Sequence, residues 1–263
     1  MSSEEAGADA ILLCAGFGTR MYPLTKDTPK SLLQVAGKPV LDYLLLQLCE
    51  CRGLRSIHIV TNNKFYEQFV RWQLEWERTL GQAGLKIHLY NNGVEDNDSR
   101  LGAFGDLAYV LEQADLYRKD VLVSAGDNIF LFDLQPVWQK FIKTRRNLLL
   151  AVSEPDQKRL RKMGVLEIGE EDRVVGFVEK SEHPPSSWVC PAFYCLAAGA
   201  LALVGQYMET SESKDAIGYF IQYLAARAEL YAFCSDGRRL DIGSLEDYAE
   251  ANTLLANKDA LPD

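Results

Sequence analysis

Apolar residues along this chain gather in short continuous runs separated by longer stretches with helical spacing. Residues 10–14, 56–61, 85–90 and 121–125 are rich in aliphatic side chains and predict strands, with a further one at 148–152. Between them, residues 40–51, 64–80, 101–117 and 136–145 place apolar positions at helical intervals. Unbroken apolar strands alternating with helices predict a parallel sheet covered on both faces. The pattern then changes. Residues 164–168 and 173–179 read as a hairpin around the turn 169–172, followed by a strand over 189–196. Helices over 198–208 and 216–228, a strand at 230–234 and a last helix at 245–256 complete the series. With no Pro/Ser linker, fixed repeat or low-complexity tract, residues 1–263 read as a single α/β domain. Its first half (about 8–150) is expected to be doubly wound and its second (about 151–256) mixed. Ligands of such sheets sit at the carboxyl ends of the strands.

Composition narrows the options. A chain of 263 residues, 48% hydrophobic and 25% charged, is neither disordered nor a disulfide scaffold, and it can bury a sizeable core. The formal net charge of −9 argues against a nucleic-acid partner, which needs a broad basic face. No apolar run approaches the roughly 20 residues of a membrane span. Residues 1–9 are acidic and small, unlike a secretory signal. The six cysteines (14, 49, 51, 190, 195 and 234) form no C-x-x-C pair, and the three histidines are scattered. Reduced, buried thiols in a cytoplasmic protein are the expectation.

Candidate chemistry begins where the first strand ends, in Ala15-Gly16-Phe17-Gly18-Thr19-Arg20. Glycines two apart let backbone N–H groups approach phosphate oxygens. The loop is not a G-x-x-x-x-G-K-[ST] P-loop. It is not a dinucleotide fingerprint either: Met21 replaces the third glycine, and Asp42, about 20 positions on, starts a helix. On glycines alone a tight turn is as good a reading. Two cations favour a phosphate site. Arg20 offers a fork for oxygen pairs, and Lys30, in Thr28-Pro29-Lys30-Ser31, offers a mobile point charge.

The run Leu13-Cys14-Ala15-Gly16-Phe17-Gly18-Thr19-Arg20, with Pro23-Leu24-Thr25, Thr28-Pro29-Lys30 and Gly37-Lys38-Pro39, resembles the signature of the sugar-1-phosphate nucleotidyltransferases, the NDP-sugar pyrophosphorylases. The resemblance extends from residue 10 to about 252. It implies a GT-A-like, Rossmann-like doubly wound mixed sheet with helices on both faces and, since the chain ends at Asp263, no C-terminal β-helix domain. It also implies a nucleotide-binding first half, an acceptor-binding second half and an Mg²⁺-dependent reaction. In that reaction a nucleoside triphosphate and a sugar 1-phosphate give an NDP-sugar and pyrophosphate.

Residue by residue, the resemblance assigns Arg20 and Lys30 to catalysis. Ala15, Gly16, Phe17, Gly18, Thr19, Gly102 and Asp127 are assigned to the nucleotide. Gly126-Asp127-Asn128 and Asp241-Ile242-Gly243 match two metal-ligand positions; read alone, Asp127 is a turn residue and Asp241 a helix-start residue. Gly164, with Glu179 for the sugar hydroxyls and Lys180 for its phosphate, would form the acceptor side. There the chain departs from the family: Cys190 stands where many members carry a sugar-binding Asn. The base-reading loop 97–105 keeps Gly102 but lacks the usual Pro. Trp188 is a candidate wall of the acceptor site, whereas Trp72 and Trp76 read as packing. These departures keep two alternatives open: the same chemistry on a non-sugar phosphate or phosphonate, as in a phosphocholine-like cytidylyltransferase, and an inactive regulatory paralogue that senses a nucleotide sugar. Expected partners are a nucleoside triphosphate and a phosphorylated small-molecule acceptor, with no nucleic acid and no membrane; a homo-oligomer is a default expectation only.

Overall fold

The computed structural model describes residues 7–210 and 212–257. The chain opens with β1 (Ala8–Leu13), and a small hairpin of β2 (Gln34–Val35) and β3 (Lys38–Pro39) leads into α1 (Val40–Cys49). β4 (Leu54–Thr61) is followed by α2 (Tyr66–Ala83), and β5 (Lys86–Asn91) by α3 (Gly102–Gln113). Then come β6 (Val121–Ala125), β7 (Asn128–Phe130), α4 (Gln135–Thr144), β8 (Asn147–Ser153) and the single turn α5 (Gln157–Leu160). The second half contains β9 (Gly164–Ile168), β10 (Val174–Glu179), β11 (Trp188–Cys190) and β12 (Phe193–Leu196). It ends with α6 (Ala198–Leu201), α7 (Leu203–Met208), α8 (Ile217–Ala225), β13 (Leu230–Ser235), β14 (Arg239–Asp241) and α9 (Leu245–Ala256).

One ten-stranded sheet runs β10-β9-β11-β8-β12-β6-β1-β4-β5, with β13 beside β8. β6, β1, β4 and β5 are mutually parallel, whereas β12 lies antiparallel between β6 and β8. This is the predicted α/β architecture: doubly wound first, mixed afterwards. β1 shows why its residues read as an unbroken apolar run. Ala8, Ala10 and Leu12 pack with α1, α2 and α4 on one face, and Ile11 packs with α3, α7 and α8 on the other. Both faces are core, so no position is free to be polar. Trp138, Phe69 and Phe104, each fully buried, anchor the covering helices, and burial of such a side chain contributes on the order of 2 kcal/mol.

Several expectations change in detail. The strand expected over 189–196 is two strands. Pro191 has no N–H for a ladder, and Ala192 turns to φ +48°, so β11 pairs with β8 and β9 while β12 pairs with β6 and β8. The helix expected over 198–208 is two short pieces, α6 and α7. The thiols are all free, but not all buried: Cys49 is half-buried and Cys234 exposed. Trp72 and Trp76 do pack, and both indole N–H groups also donate to Asp42 Oδ1, at 2.7 and 3.0 Å.

Two small pairings escape a reading by periodicity because each strand is only two or three residues long. One is the β2–β3 hairpin. The other joins β7 to β14 antiparallel, with Asp241 opposite Asn128. Met21, Val35, Ile129, Leu240, Ile242 and Leu255 share an apolar cluster that binds this second pairing to the loop after β1 and to α9.

Candidate active site

A cleft of about 790 Å³ lies along the carboxyl ends of β1 and β6 and reaches the segment joining β10 to α8. Ala15, Gly16, Gly18, Arg20 and Lys30 line one side, with Gly102 near them; Asp127 and Asp241 lie in its wall, and Gly164, Glu179, Lys180 and Cys190 line the far side. The candidate site residues therefore meet in one place, with three exceptions. Phe17 is buried, its ring 6.2 Å from that of Phe65. Thr19 is exposed but outside the wall. Trp188 lies outside the cleft lining: it shares a sheet face with Cys190 but sits two residues earlier in β11, half-buried against the core, in a strand paired to Ser153 and Leu166.

The loop after β1 is held by residues that leave its rim free. Gly18 adopts φ +62°, and a Cβ there would press on Thr25, whose Oγ1 donates to the Gly18 carbonyl at 2.7 Å. Asn62, just past β4, donates to the carbonyl of Ala15 at 2.9 Å. Met21, which breaks the dinucleotide pattern, is the loop's apolar anchor at 1% exposure. Arg20 stands exposed at the rim.

Across the cleft, the β7–β14 pairing carries Asp127 and Asp241 together, and Ile242 N–H donates to the Asp127 carbonyl at 3.2 Å. The Lys30 ammonium lies 2.6 Å from Asp127 Oδ2. Arg239 Nη1 donates to Asn128 Oδ1 at 2.7 Å and lies 3.4 Å from Asp241 Oδ2. Burial pushes the Asp127 carboxyl up, but Lys30 and Arg239 outweigh it and hold it below its ordinary value. Asp241 goes the other way: burial and the neighbouring Asp127 charge raise it, and the cations offset only part. Two neighbouring carboxylates, each about a third exposed, that repel one another suit a divalent cation. Mg²⁺ takes one or two protein carboxylates and completes its octahedron with phosphate oxygens and water. Among the described residues no group of three or more His, Cys, Asp or Glu is arranged to hold a metal. Asp127 and Asp241 fit such an ion by count and charge, with its remaining ligands left to phosphate oxygens and water.

On the far side, Glu179 ends β10 with its carboxyl wedged between Gly164 and Gly218; a Cβ on Gly218 would overlap it outright. Burial pushes the Glu179 carboxyl up to about 7, with Lys180 opposing. Lys180, at φ +52°, reaches Asp215 Oδ2 at 3.8 Å and lies 5.8 Å over the Tyr219 ring. Asp215 also takes Arg100 Nε at 3.2 Å, and its carbonyl caps the Ala103 N–H of α3. Gly102 lets this happen: at φ +78°, its missing Cβ is the space occupied by the Lys214 carbonyl. Cys190 is buried, its thiol pushed up to about 12 by burial and hence neutral, with Sγ 3.7 Å from the Phe193 carbonyl.

Arg239, Asp215, Gly218 and Asp106 line the same cleft and were not singled out from sequence. For Arg239 a signal existed: Arg239 and Asp241 alternate in a strand, which puts both on one face. For the others the information lies in contacts between distant segments.

The model of the family described as "Nucleotidyl transferase" matches residues 9–258. Among relatives, the UTP–glucose-1-phosphate uridylyltransferase AglF of Haloferax volcanii is 28% identical over 260 residues, covering 94% of this chain and 96% of that protein. A mannose-1-phosphate guanylyltransferase of Mycobacterium tuberculosis is 29% identical over 252 residues, covering 94% of this chain and 64% of the relative. The fold matches that of a UDP-glucose pyrophosphorylase complexed with UDP-glucose, at a TM-score of 0.79, 21% identity and coverage of 96% and 99%. The named relatives are sugar-1-phosphate nucleotidyltransferases that differ in their base. With the match spanning nearly every described element and the cleft residues gathered within it, this chain belongs to the nucleotidyl transferase family.

Proposed function

We propose that this chain transfers a nucleoside monophosphate from a nucleoside triphosphate to the phosphate of a sugar 1-phosphate, giving an NDP-sugar and pyrophosphate. The observation that carries the reading is the pairing of β7 with β14. It puts Asp127 and Asp241 in one cleft with the glycine loop and Lys30 on one side and Glu179 with Lys180 on the other.

An oxygen of the acceptor phosphate bonds to the α-phosphorus while the bond to the β-phosphate oxygen breaks, and the electron pair leaves with pyrophosphate. The acceptor phosphate has a second pKa of about 6 and is ionised at neutral pH, so no general base is needed. The protein's task is positioning and charge neutralisation. Arg20 and the N–H groups around Gly16 and Gly18 hold the leaving phosphates, and Lys30 brings positive charge to the transferred group. Asp127 and Asp241 hold Mg²⁺, which supplies charge neutralisation on the phosphates when bound. Lys180 orients the acceptor phosphate and Glu179 accepts from its hydroxyls. The neutral thiol of Cys190 favours a second reading, a non-sugar phosphate acceptor, because it withdraws a strong amide contact from this side.

Pyrophosphate release with Mg²⁺ tests the assignment, crossing ATP, GTP, CTP, UTP and dTTP with hexose, hexosamine and heptose 1-phosphates and phosphocholine. Release with one sugar 1-phosphate supports the reading, and release with phosphocholine alone moves it to the second. Silence across the grid, with tight binding of a nucleotide sugar, refutes catalysis. Asp127→Asn should abolish turnover in a chain that still melts cooperatively.

A further inference from the structure

The side of the cleft away from Glu179 and Lys180 contains one acidic side chain that the transfer scheme does not use. Asp106, the fifth residue of α3, is 6% exposed and still lines the cleft near Ala15, Gly102 and Ala103. Its Oδ1 accepts from Asn92 Nδ2 at 2.7 Å. Its Oδ2 has no partner among the described residues, and it is not sealed from solvent. Burial raises this carboxyl to about 6, with the Asn92 bond opposing, so it is mostly ionised at neutral pH.

Such a group is costly to bury unless hydrogen-bond donors reach it. Holding Asn92 in place needs an acceptor but no charge, and an amide or hydroxyl would serve. The spare oxygen also cannot face phosphate, since like charges repel. The phosphate groups have Arg20 and Lys30, while Asp106 leans toward Asn92 at the end of β5, the edge strand farthest from the acceptor side. A nucleoside triphosphate laid with its phosphates between Arg20 and Asp127 places its nucleoside on the remaining side of the cleft.

We propose that Asp106 is a specificity-determining residue whose free carboxylate oxygen accepts a hydrogen bond from a donor on the bound nucleoside, either a base N–H or a ribose hydroxyl. This rests on the nucleotidyl-transfer reading, which supplies the nucleoside. If the donor is on the base, guanine, adenine and cytosine are favoured, because each presents an amino group. Uracil and thymine present one N–H between two carbonyls that a carboxylate repels.

The test is Asp106→Asn with the full-length chain and direct nucleotide binding by calorimetry, without acceptor, alongside initial rates. The substitution is isosteric. Its carbonyl still accepts from Asn92, which leaves an NH₂ where the spare oxygen was. Wild type should bind GTP, ATP or CTP roughly ten-fold or more tightly than UTP and dTTP, the loss expected when a charge-assisted bond has no partner. The variant should narrow or invert that order through KM, leaving kcat and melting temperature near wild type. A flat base order, with 2′-deoxy or 3′-deoxy triphosphates weakened in wild type but not in the variant, supports the ribose as the donor. Affinities of the variant that match wild type for every triphosphate, the deoxy analogues included, overturn the assignment while leaving nucleotidyl transfer intact. Absence of any triphosphate binding by wild type overturns both.

Discussion

Gly218, the second residue of α8, offers a test of the acceptor side that replaces no charged residue. A methyl at this position would occupy the space of the Glu179 carboxyl, down to its Cγ at 3.1 Å. The atoms in the way are the far end of a flexible side chain, so the protein accommodates Gly218→Ala by turning Glu179 out of its slot. The helix itself gains: Ala is favoured over Gly by up to about 1 kcal/mol in a helix interior, somewhat less at an N-terminus. Folding stability should therefore stay level or rise by a few tenths of a kcal/mol. The acceptor loses hydrogen bonds to a carboxylate, each worth about 1.5–3 kcal/mol, a fall of roughly 10- to 150-fold in kcat/KM for the acceptor. KM for the triphosphate should be unchanged. Paired thermal melts and two-substrate kinetics read both quantities on one preparation. Wild-type acceptor kinetics in Gly218→Ala would refute the role given to Glu179, and a loss of several kcal/mol in stability would refute the claim that its side chain can yield. Gly164→Ala is not an equivalent test, because the added methyl also strikes the buried ring of Phe177.

Other outcomes follow from the same geometry. Glu179 is raised to about 7 in the folded chain, so its contribution to stability is complete below the ordinary glutamate pKa and is lost as pH rises through about 7. Denaturant midpoints should show wild type losing ground to Glu179→Gln between about pH 5 and pH 8, and parallel curves would contradict this. Asp42→Ala leaves the indole N–H groups of Trp72 and Trp76 without their acceptor and should cost about 2–4 kcal/mol by chemical denaturation. Asp42→Asn keeps Oδ1 and should cost under about 1 kcal/mol; equal losses would show that charge, not the shared acceptor, matters. Gly102→Ala meets a backbone carbonyl at φ +78° and should destabilise by at least ~2 kcal/mol while weakening triphosphate binding. An unchanged melt would contradict it.

The parts of this fold that could be read from sequence are those in which each position's environment repeats. Residues of β1 are apolar because core lies on both sides, and the glycine loop announces itself by short-range spacing. What could not be read depends on which distant segments meet. β7 and β14 are three residues each and carry no period, yet their register decides that Asp127 and Asp241 share a cleft. Arg239 gains its meaning only beside Asn128. Direction and reach are equally hidden: Phe17 sits within the glycine loop but points into the core, and Trp188 shares a sheet face with Cys190 yet lies two residues farther from the cleft. The split of one apolar run into β11 and β12 was signalled by Pro191, whose missing N–H is incompatible with a continuous ladder.

The β7–β14 pairing also sets an order in time. Asp241 is synthesised 114 residues after Asp127. β1, β4, β5 and β6, with their helices, can pair as they emerge, so the glycine loop and Lys30 take shape on a growing chain that still lacks the second carboxylate of the proposed metal site. Until β14 arrives, Asp127 has Lys30 for company but neither Arg239 nor Asp241. On the proposed assignment, a nascent chain acquires its phosphate grip early and its full divalent-cation grip only near the end of translation, which makes the metal the last ligand for which the folding protein becomes competent.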